Sequence, residues 1–260
     1  MKAQEKELIF NLLKCANDNF YGYHSKEFQY TPEFSDDPEF EQKTETAPEP
    51  ETEHQTTPVN ENKPVTLDIL NNKINSCSRC PLHLKRKNAV PGEGVEHPDV
   101  LVIGEGPGEE EDNQGLPFVG PAGELLNKML HAIQLDRKIN CYIANTVKCR
   151  PPYNRDPEKE EAEACRSYLD AQIHILKPKM ILALGKVAVR NLLKLDENFS
   201  LNKYRGQIFE YKGIPLIITY HPSALLRNIE FKKPAWEDLK FFKSELLKIS
   251  PDYAKDFRVE

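Results

Sequence analysis

One stretch near the middle of the chain limits the possible folds more than any other, and it reads DVLVIGEGPGEEEDNQGLPFVGPAG. Its residues 100–103 form a short apolar run that ends in a glycine-rich turn, which is the pattern of a buried strand. In open α/β sheets, ligands bind beyond the carboxyl ends of the strands. We therefore expect the functional site in the loop formed by residues 104–118.

The glycines of this turn do not match a phosphate-binding loop. A dinucleotide fingerprint needs a third glycine where the chain has Glu109, and a P-loop needs a Gly-Lys-Ser/Thr sequence that the turn lacks. The five carboxylates, those of Glu105 and of residues 109–112, would also repel a pyrophosphate. A carboxylate at a strand end, such as that of Glu105, is better suited to orienting a water molecule or contacting a neutral polar ligand.

Strands and helices alternate along residues 66–250. Apolar runs predict strands at residues 100–103, 141–147, 180–184, 208–211 and 214–220. Apolar residues at helical spacing predict helices at residues 67–74, 122–133, 157–176, 187–193 and 234–247. This alternation predicts an α/β fold with a mainly parallel sheet and helices on both faces.

The N-terminal extension, residues 1–65, differs in composition from the rest of the chain. A short helical pattern is followed by an acidic stretch rich in Pro, Thr and Glu, which predicts a disordered linker that is dispensable for activity. The extension holds 6 Lys or Arg and 14 Asp or Glu, so it accounts for the net charge of −6. The candidate domain at residues 66–250, with a tail at 251–260, is nearly neutral, so its net charge neither indicates nor excludes binding to nucleic acid.

Four of the six cysteines have a spacing typical of a metal site. Cys77 and Cys80 are two residues apart, Cys149 follows the second strand, and Cys165 lies on the long helix. Thiolates bind both zinc and iron–sulfur clusters, and the residues alone leave these two open. No apolar run is long enough for a membrane span and no secretory signal is visible, so we expect a cytoplasmic protein.

Three motifs in order along the chain resemble those of the family 4 uracil-DNA glycosylases, the iron–sulfur type. They are GEGPGEEED with QGLPFVGPAGELL, IANTVKCRPPYNR, and YHPSALLR, and the resemblance covers roughly residues 66–248. It implies a three-layer α/β/α sandwich around a central, mainly parallel four-stranded sheet. It also implies an enzyme that hydrolyses the N-glycosidic bond of deoxyuridine in DNA, leaves an abasic site and starts base-excision repair. The cofactor implied is a [4Fe-4S] cluster on the four cysteines.

The resemblance also assigns a uracil pocket, because such an enzyme must extrude its base and read it. Phe118 would stack on the ring, and Asn145 would pair with O4 and N3–H. Gly104 and Glu111 would also contact the base, with Glu111 near C5, where it discourages a methyl group. From the residues alone, Phe118 can also be core, although Pro117 and Gly120 favour a loop. Asn145 can also be a turn cap, and the acidic run can be solvated surface.

Two residues are candidates for catalysis. Cleavage builds positive charge on the sugar and negative charge on the leaving base. Glu105 is expected to orient the water molecule and His221 to stabilise the uracil anion. Better-known uracil glycosylases carry an Asp in the first motif, so the identity of the carboxylate that activates water stays open.

The last motif is expected to enter the DNA, with an apolar wedge in the vacated base position and polar groups on phosphates. The predicted DNA contacts are Lys148, Arg150, Ser223, Leu225, Leu226 and Arg227. We expect a monomer acting on uracil-containing DNA, single- or double-stranded. A non-catalytic nucleic-acid-binding module related to phage-type DNA polymerase-associated domains is the alternative, and an iron–sulfur electron carrier is a third hypothesis. Glu105, Asn145 and His221 together favour the enzyme.

Overall fold

The computed structural model describes residues 66–257. The predictions for the N-terminal extension, and for residues 258–260 of the tail, lie outside the described residues. Within residues 66–257 the chain forms one sheet covered by helices on both faces.

The sheet contains six strands in the order β1-β3-β2-β4-β6-β5. They are β1 (Glu93–Gly94), β2 (Val100–Gly104), β3 (Cys141–Asn145), β4 (Met180–Leu184), β5 (Ile208–Tyr211) and β6 (Ile214–Thr219). The four central strands, β3, β2, β4 and β6, are parallel, whereas β1 and β5 pair antiparallel at the two edges. The predicted parallel four-stranded core is confirmed, and each edge carries one further strand.

The central strands are apolar except for Asn145 and Thr219 at their carboxyl ends, because both faces of the sheet are covered. In β2, Val100 and Val102 point to one face of the sheet, and Leu101 and Ile103 point to the other. All four side chains are fully buried. Burial on both faces explains why the sequence shows a continuous apolar run here rather than an alternating pattern.

Eight helices surround the sheet in the described part of the chain. They are α1 (Leu67–Asn75), α2 (Glu109–Gln114), α3 (Pro121–Ala132), α4 (Lys159–Leu176), α5 (Gly185–Leu193), α6 (Leu201–Tyr204), α7 (Pro222–Arg227) and α8 (Lys232–Ile249). Helices α3, α7 and α8 pack on one face of the sheet, and α4 and α5 pack on the other. The predicted α/β/α sandwich is therefore confirmed. No helix among residues 66–257 is long and apolar enough to cross a membrane.

Two features of the fold differ from the prediction. The acidic stretch that was expected to belong to a loop forms helix α2, which ends at Gly115 with a left-handed φ of 73°. The core also extends past the expected domain end at residue 250. Tyr253 is buried, its hydroxyl donates to the Ile133 carbonyl oxygen at 2.7 Å, and its own carbonyl accepts from Asn140 Nδ2 at 2.8 Å.

Candidate active site

The carboxyl ends of three parallel strands open into one cavity of about 420 Å³. Glu105 follows β2, Asn145 is the last residue of β3, and His221 follows β6 by two residues. Strand β4, which lies between β2 and β6, is followed by Gly185, where an added Cβ would lie 2.7 Å from the His221 Cβ. A glycine at that position therefore lets the loop after β6 approach its neighbour.

The cavity collects most of the predicted site residues. Its volume is in the range of small-molecule sites, roughly 300–1,000 Å³. The predicted residues that line it are Glu105, Glu111, Phe118, Asn145, His221, Ser223 and Arg227. Residues from the ends of β2 and β3, from α2 and the loop after it, and from the segment after β6 thus meet at one edge of the sheet, as expected for an α/β fold.

Glu105 is held in place through its backbone, while its carboxyl group faces the cavity lining. The Glu105 carbonyl oxygen accepts from the Thr146 hydroxyl at 2.6 Å and from the Val147 N–H at 3.1 Å. Burial raises the pKa of Glu105 to about 7, and Asp156 adds to the rise, whereas Arg190 and Arg227 oppose it. A carboxyl group with this pKa is poised to change protonation state near neutral pH.

Asn145 and Phe118 form one end of the cavity around Gly104. Asn145 is buried, and its Oδ1 has no hydrogen-bond partner among the described residues. Phe118 has a left-handed φ of 53°, and Arg137 fixes it by donating to the Phe118 carbonyl oxygen at 3.1 Å. A Cβ on Gly104 would clash with Asn145 Oδ1 and approach the Phe118 ring to 2.7 Å. The missing side chain at Gly104 therefore lets the amide oxygen of Asn145 and the edge of the Phe118 ring approach the backbone closely.

Glu111 organises the loop between α2 and α3. Its carboxylate accepts from the N–H groups of Gly108 at 3.1 Å, Val119 at 3.0 Å and Gly120 at 3.2 Å. The interpretation of the whole acidic run as solvated surface is therefore wrong for its second half. Asp112 is also buried, and it accepts from the Lys87 N–H at 2.9 Å.

His221 is neutral, and its tautomer is defined by its contacts. Nδ1 accepts from the Ser223 N–H at 3.2 Å and lies 2.8 Å from the Ser223 hydroxyl. Because a backbone N–H can only donate, the ring proton is on Nε2. Burial lowers the pKa of His221 to about 4, and Arg227 lowers it further. The ring centroid lies 5.6 Å from that of Phe118.

Two of the predicted DNA contacts are wrong in this structure because their side chains are buried. Lys148 is 1% exposed, and its ammonium donates to the Asn145 carbonyl oxygen at 2.9 Å and to Gln172 Oε1 at 2.6 Å. Leu225 is 3% exposed and belongs to the core beside α8. Neither side chain reaches a surface where DNA could lie.

The other predicted DNA contacts remain accessible. Leu226 is 52% exposed on α7, next to Arg227 at the cavity. Arg150 donates to Asn154 Oδ1 at 2.7 Å and lies 3.4 Å from the Glu109 carboxylate. Leu226 is therefore the one of the two predicted wedge residues that is exposed.

Three further polar residues line the cavity, namely Asn154, Arg155 and Asp156, and the sequence assigned no role to them. They follow the Pro151-Pro152 pair in the second motif. Arg155 makes a two-pronged ion pair with Glu161 at 2.7 and 2.8 Å, and Glu161 is buried at the start of α4. The ion pair between Arg155 and Glu161 anchors the loop that precedes α4.

The four cysteines of the predicted metal site line one small cavity on the other side of residues 145–150. Cys77, Cys80, Cys149 and Cys165 face it, and Arg86 donates to the Cys149 sulfur at 2.9 Å. Among residues 66–257, no three His, Cys, Asp or Glu side chains are grouped closely enough to hold a metal ion. The four cysteine sulfurs nevertheless fit the metal group expected from the sequence, because four sulfur ligands suit an iron–sulfur cluster or zinc. Cys141, which lies outside this set, is buried in β3, and burial raises the pKa of its thiol to about 12.

Comparison with known proteins identifies the family to which the chain belongs. The family model described as the uracil DNA glycosylase superfamily matches residues 91–240, which include every residue of the cavity. The chain is also 44% identical to a type-4 uracil-DNA glycosylase of Sulfurisphaera tokodaii over 181 residues, which cover 67% of this chain and 82% of that protein.

Two further relatives have the same name. The type-4 uracil-DNA glycosylase of Pyrobaculum aerophilum is 43% identical over 182 residues, which cover 68% of this chain and 92% of that protein. That of Thermotoga maritima is 43% identical over 185 residues, which cover 70% and 95%. The chain belongs to the type-4 uracil-DNA glycosylase family.

Proposed function

We propose that this protein is a monofunctional uracil-DNA glycosylase that hydrolyses the N-glycosidic bond of deoxyuridine in DNA and leaves an abasic site. The observation that carries this proposal is the meeting of Glu105, Phe118, Asn145 and His221 in one cavity at the carboxyl ends of the strands. Together with the family assignment, this supports an enzyme that starts base-excision repair.

Uracil recognition follows from the unpaired groups of the cavity. The Phe118 ring offers a stacking face, and the free Oδ1 of Asn145 is an acceptor for uracil N3–H while its Nδ2 donates to O4. Cytosine presents an amino group at C4 and no proton at N3, so the same amide would be mispaired. Glu111 acts through the backbone groups it fixes, and it holds the loop at the C5 edge where a thymine methyl would need space.

The chemistry rests on Glu105, whose pKa is raised, and on His221, whose pKa is lowered. Above about pH 7 Glu105 is ionised, so it can orient the attacking water and stabilise positive charge on the sugar. His221 stays neutral at this pH and donates its Nε2 proton in a hydrogen bond to uracil O2 as negative charge develops there. The carboxylate thus acts on the sugar side and the imidazole on the base side of the breaking bond.

DNA binding is assigned to the exposed groups around the cavity. Arg227 and Arg150 contact phosphates, Ser223 contacts the backbone, and Leu226 fills the position that the uracil leaves. These assignments rest on exposure and on closeness to the cavity. We further propose that the protein acts as a monomer on cytoplasmic, nucleoid DNA.

The cysteine cavity is proposed to hold a [4Fe-4S] cluster on Cys77, Cys80, Cys149 and Cys165. When bound, the cluster would link the segment before β1 to helix α4 and support the fold. Arg86 would donate to the Cys149 ligand and so hold that sulfur in place. Zinc is the competing occupant for the same four sulfurs.

The test of the proposed function is excision from a single-uracil oligonucleotide, followed by alkaline cleavage at the abasic site. We expect strand cleavage only after incubation with the protein and only at the uracil. A protein that binds this DNA but produces no abasic site would favour the alternative, a non-catalytic nucleic-acid-binding module.

A further inference from the structure

Tyr153 is the most exposed large side chain among the aromatic and aliphatic residues of the described chain. Its side chain is 98% exposed, compared with 74% for the next most exposed, Leu84 and Ile229. Exposing an aromatic ring to water is unfavourable, since burying its apolar area would lower the free energy. We therefore expect a ligand to cover the exposed Tyr153 ring when the protein acts.

The backbone conformation that presents this ring is also unusual. Tyr153 has φ 55° and ψ 23°, and Asn154 follows with φ 56°. The left-handed region is disfavoured for a bulky residue and is adopted more readily by Asn or Gly. The chain therefore keeps a residue at this position that is poorly suited to its conformation.

The turn around Tyr153 is held from both sides. The Asn154 N–H donates to the Pro151 carbonyl oxygen at 3.1 Å, and the Arg155 N–H donates to the Pro152 carbonyl oxygen at 3.2 Å. The Asn154 side chain accepts from Arg150 Nε at 2.7 Å, and Arg155 is fixed by its ion pair with Glu161 at the start of α4. These contacts fix the backbone that carries the Tyr153 side chain, so little backbone entropy is lost when the ring binds a ligand.

The ring stands at the rim of the uracil cavity. Pro151 and Asn154, on either side of Tyr153 in the chain, both line the cavity, whereas Tyr153 itself does not. A nucleotide whose base enters the cavity must leave its neighbours outside, along this rim. Arg227, which also lines the cavity, provides positive charge that favours a DNA backbone.

We propose that Tyr153 stacks on the base adjacent to the extruded uracil and thereby holds the strand at the mouth of the cavity. This inference rests on the proposed function, because it takes the ligand of the cavity to be uracil in DNA. Stacking of bases on aromatic side chains is the usual way in which proteins hold unpaired nucleotides without reading their sequence. The ring therefore adds affinity for the strand without selecting a particular neighbouring base.

The test removes the two stacking partners separately and together. Tyr153→Asn removes the ring and suits the left-handed backbone, and Tyr153→Phe keeps the ring. The ligands are single-stranded oligonucleotides with 2′-fluoro-2′-deoxyuridine, in which fluorine disfavours positive charge on the sugar and keeps the bond intact. In matched oligonucleotides the base on the 5′ or on the 3′ side is replaced by an abasic tetrahydrofuran.

Loss of the neighbouring base on one side should weaken binding by wild type and Tyr153→Phe about fivefold or more. The same loss should change binding by Tyr153→Asn less than about twofold, because the partner ring is already absent. Equal losses in wild type and Tyr153→Asn, on both sides, would overturn the proposal. Tyr153→Gly, which also accepts this backbone, repeats the measurement should the Asn variant not fold.

Two controls distinguish stacking by Tyr153 from a general loss of DNA binding and from a loss of excision. Ile139→Asn removes an exposed apolar side chain just before β3, at the opposite end of the strands, and should leave binding unchanged. A loss as large as that of Tyr153→Asn would argue against the stacking. Excision from an unmodified uracil oligonucleotide is measured in parallel. If the wild type excises uracil but its binding does not depend on a neighbouring base, only the stacking is contradicted. If its binding depends on a neighbouring base but no uracil is excised, only the proposed function is contradicted.

Discussion

The uracil cavity and the cysteine cavity lie on two sides of the segment after β3 and are built in different ways. The uracil cavity is formed by strand ends, and the sheet brings Glu105, Asn145 and His221 together without any bound group. The cysteine cavity joins segments far apart in the chain, and none of its described side chains group as a metal site by themselves. The first site is preorganised by the fold, whereas we expect the second to gain order from what it binds.

Lys148 connects the two cavities. Its side chain borders the cysteine cavity, while its ammonium donates to the carbonyl oxygen of Asn145, the residue proposed to read uracil. Gln172 accepts from the same ammonium and donates to the Pro91 carbonyl oxygen at 2.8 Å. A change on the cysteine side can therefore reach the uracil cavity through one buried hydrogen-bonded network.

The largest effect is expected where charge develops during the reaction. His221→Ala removes the donor to uracil O2 and should lower the single-turnover rate on the order of 100-fold or more, with little change in DNA affinity. Ser223→Ala is the matched control, because it keeps the N–H that fixes the imidazole and should cost much less. Equal rates in His221→Ala and wild type would mean that this imidazole takes no part in the chemistry.

A smaller effect is expected from changing the base-reading amide. Asn145→Asp places an acceptor opposite uracil O4, and a mispaired buried polar group costs about 1–3 kcal/mol. Excision of uracil should fall accordingly, and weak excision of cytosine should appear because its amino group can donate to the new carboxylate. Single-turnover assays with uracil and cytosine oligonucleotides measure both. An unchanged preference for uracil would place recognition elsewhere.

A substitution at Lys148, which lies between the two cavities, should affect both the stability of the protein and the excision rate. Lys148→Met leaves the Asn145 carbonyl and Gln172 without their donor, which should lower the free energy of unfolding by about 1–3 kcal/mol. The excision rate should fall less than in Asn145→Asp, since the reading side chain itself is kept. Chemical denaturation and single-turnover kinetics test this. Lys128→Met, which removes an exposed lysine on α3, serves as the control and should behave close to wild type.

The smallest effect on chemistry is expected from the cysteine cavity. Wild-type protein should be brown and contain about four irons, and Cys165→Ser should lose iron and soluble yield. The excision rate of the protein that stays folded should change only a few fold, and the preference for uracil should not change. Cys141→Ala, outside the cavity, should keep its iron. Zinc without iron in the wild-type protein would disprove the cluster assignment.

The sequence predicted the strands and the residues that follow them, because a parallel sheet buried on both faces leaves a plain apolar signal. Val100–Gly104 and Cys141–Asn145 are such strands, and the residues at their ends meet as expected. Helix α2 was missed because four consecutive acids show no helical periodicity. Its inward-facing residues, Glu111 and Asp112, become apparent only through the backbone groups they bind.

Other parts of the site depended on tertiary packing that the sequence does not encode locally. Lys148 was expected at the surface because lysine is seldom buried, yet its two acceptors come from Asn145 and from helix α4. Leu225 and Leu226 are adjacent and chemically identical, and only the packing of α7 decides which one is exposed. A motif can therefore locate a site without assigning each of its side chains.

The central claim, that a strand-end carboxylate with a raised pKa drives excision, is tested most directly by the pH dependence of the single-turnover rate. Only ionised Glu105 orients water, so the rate should rise with pH through about 7 and level off above it. His221 stays neutral across this range and adds no second step. Glu105→Gln should be slow at every pH and lack the rise. A wild-type rate that is flat between about pH 6 and pH 8, or a rise that persists in Glu105→Gln, would contradict the account.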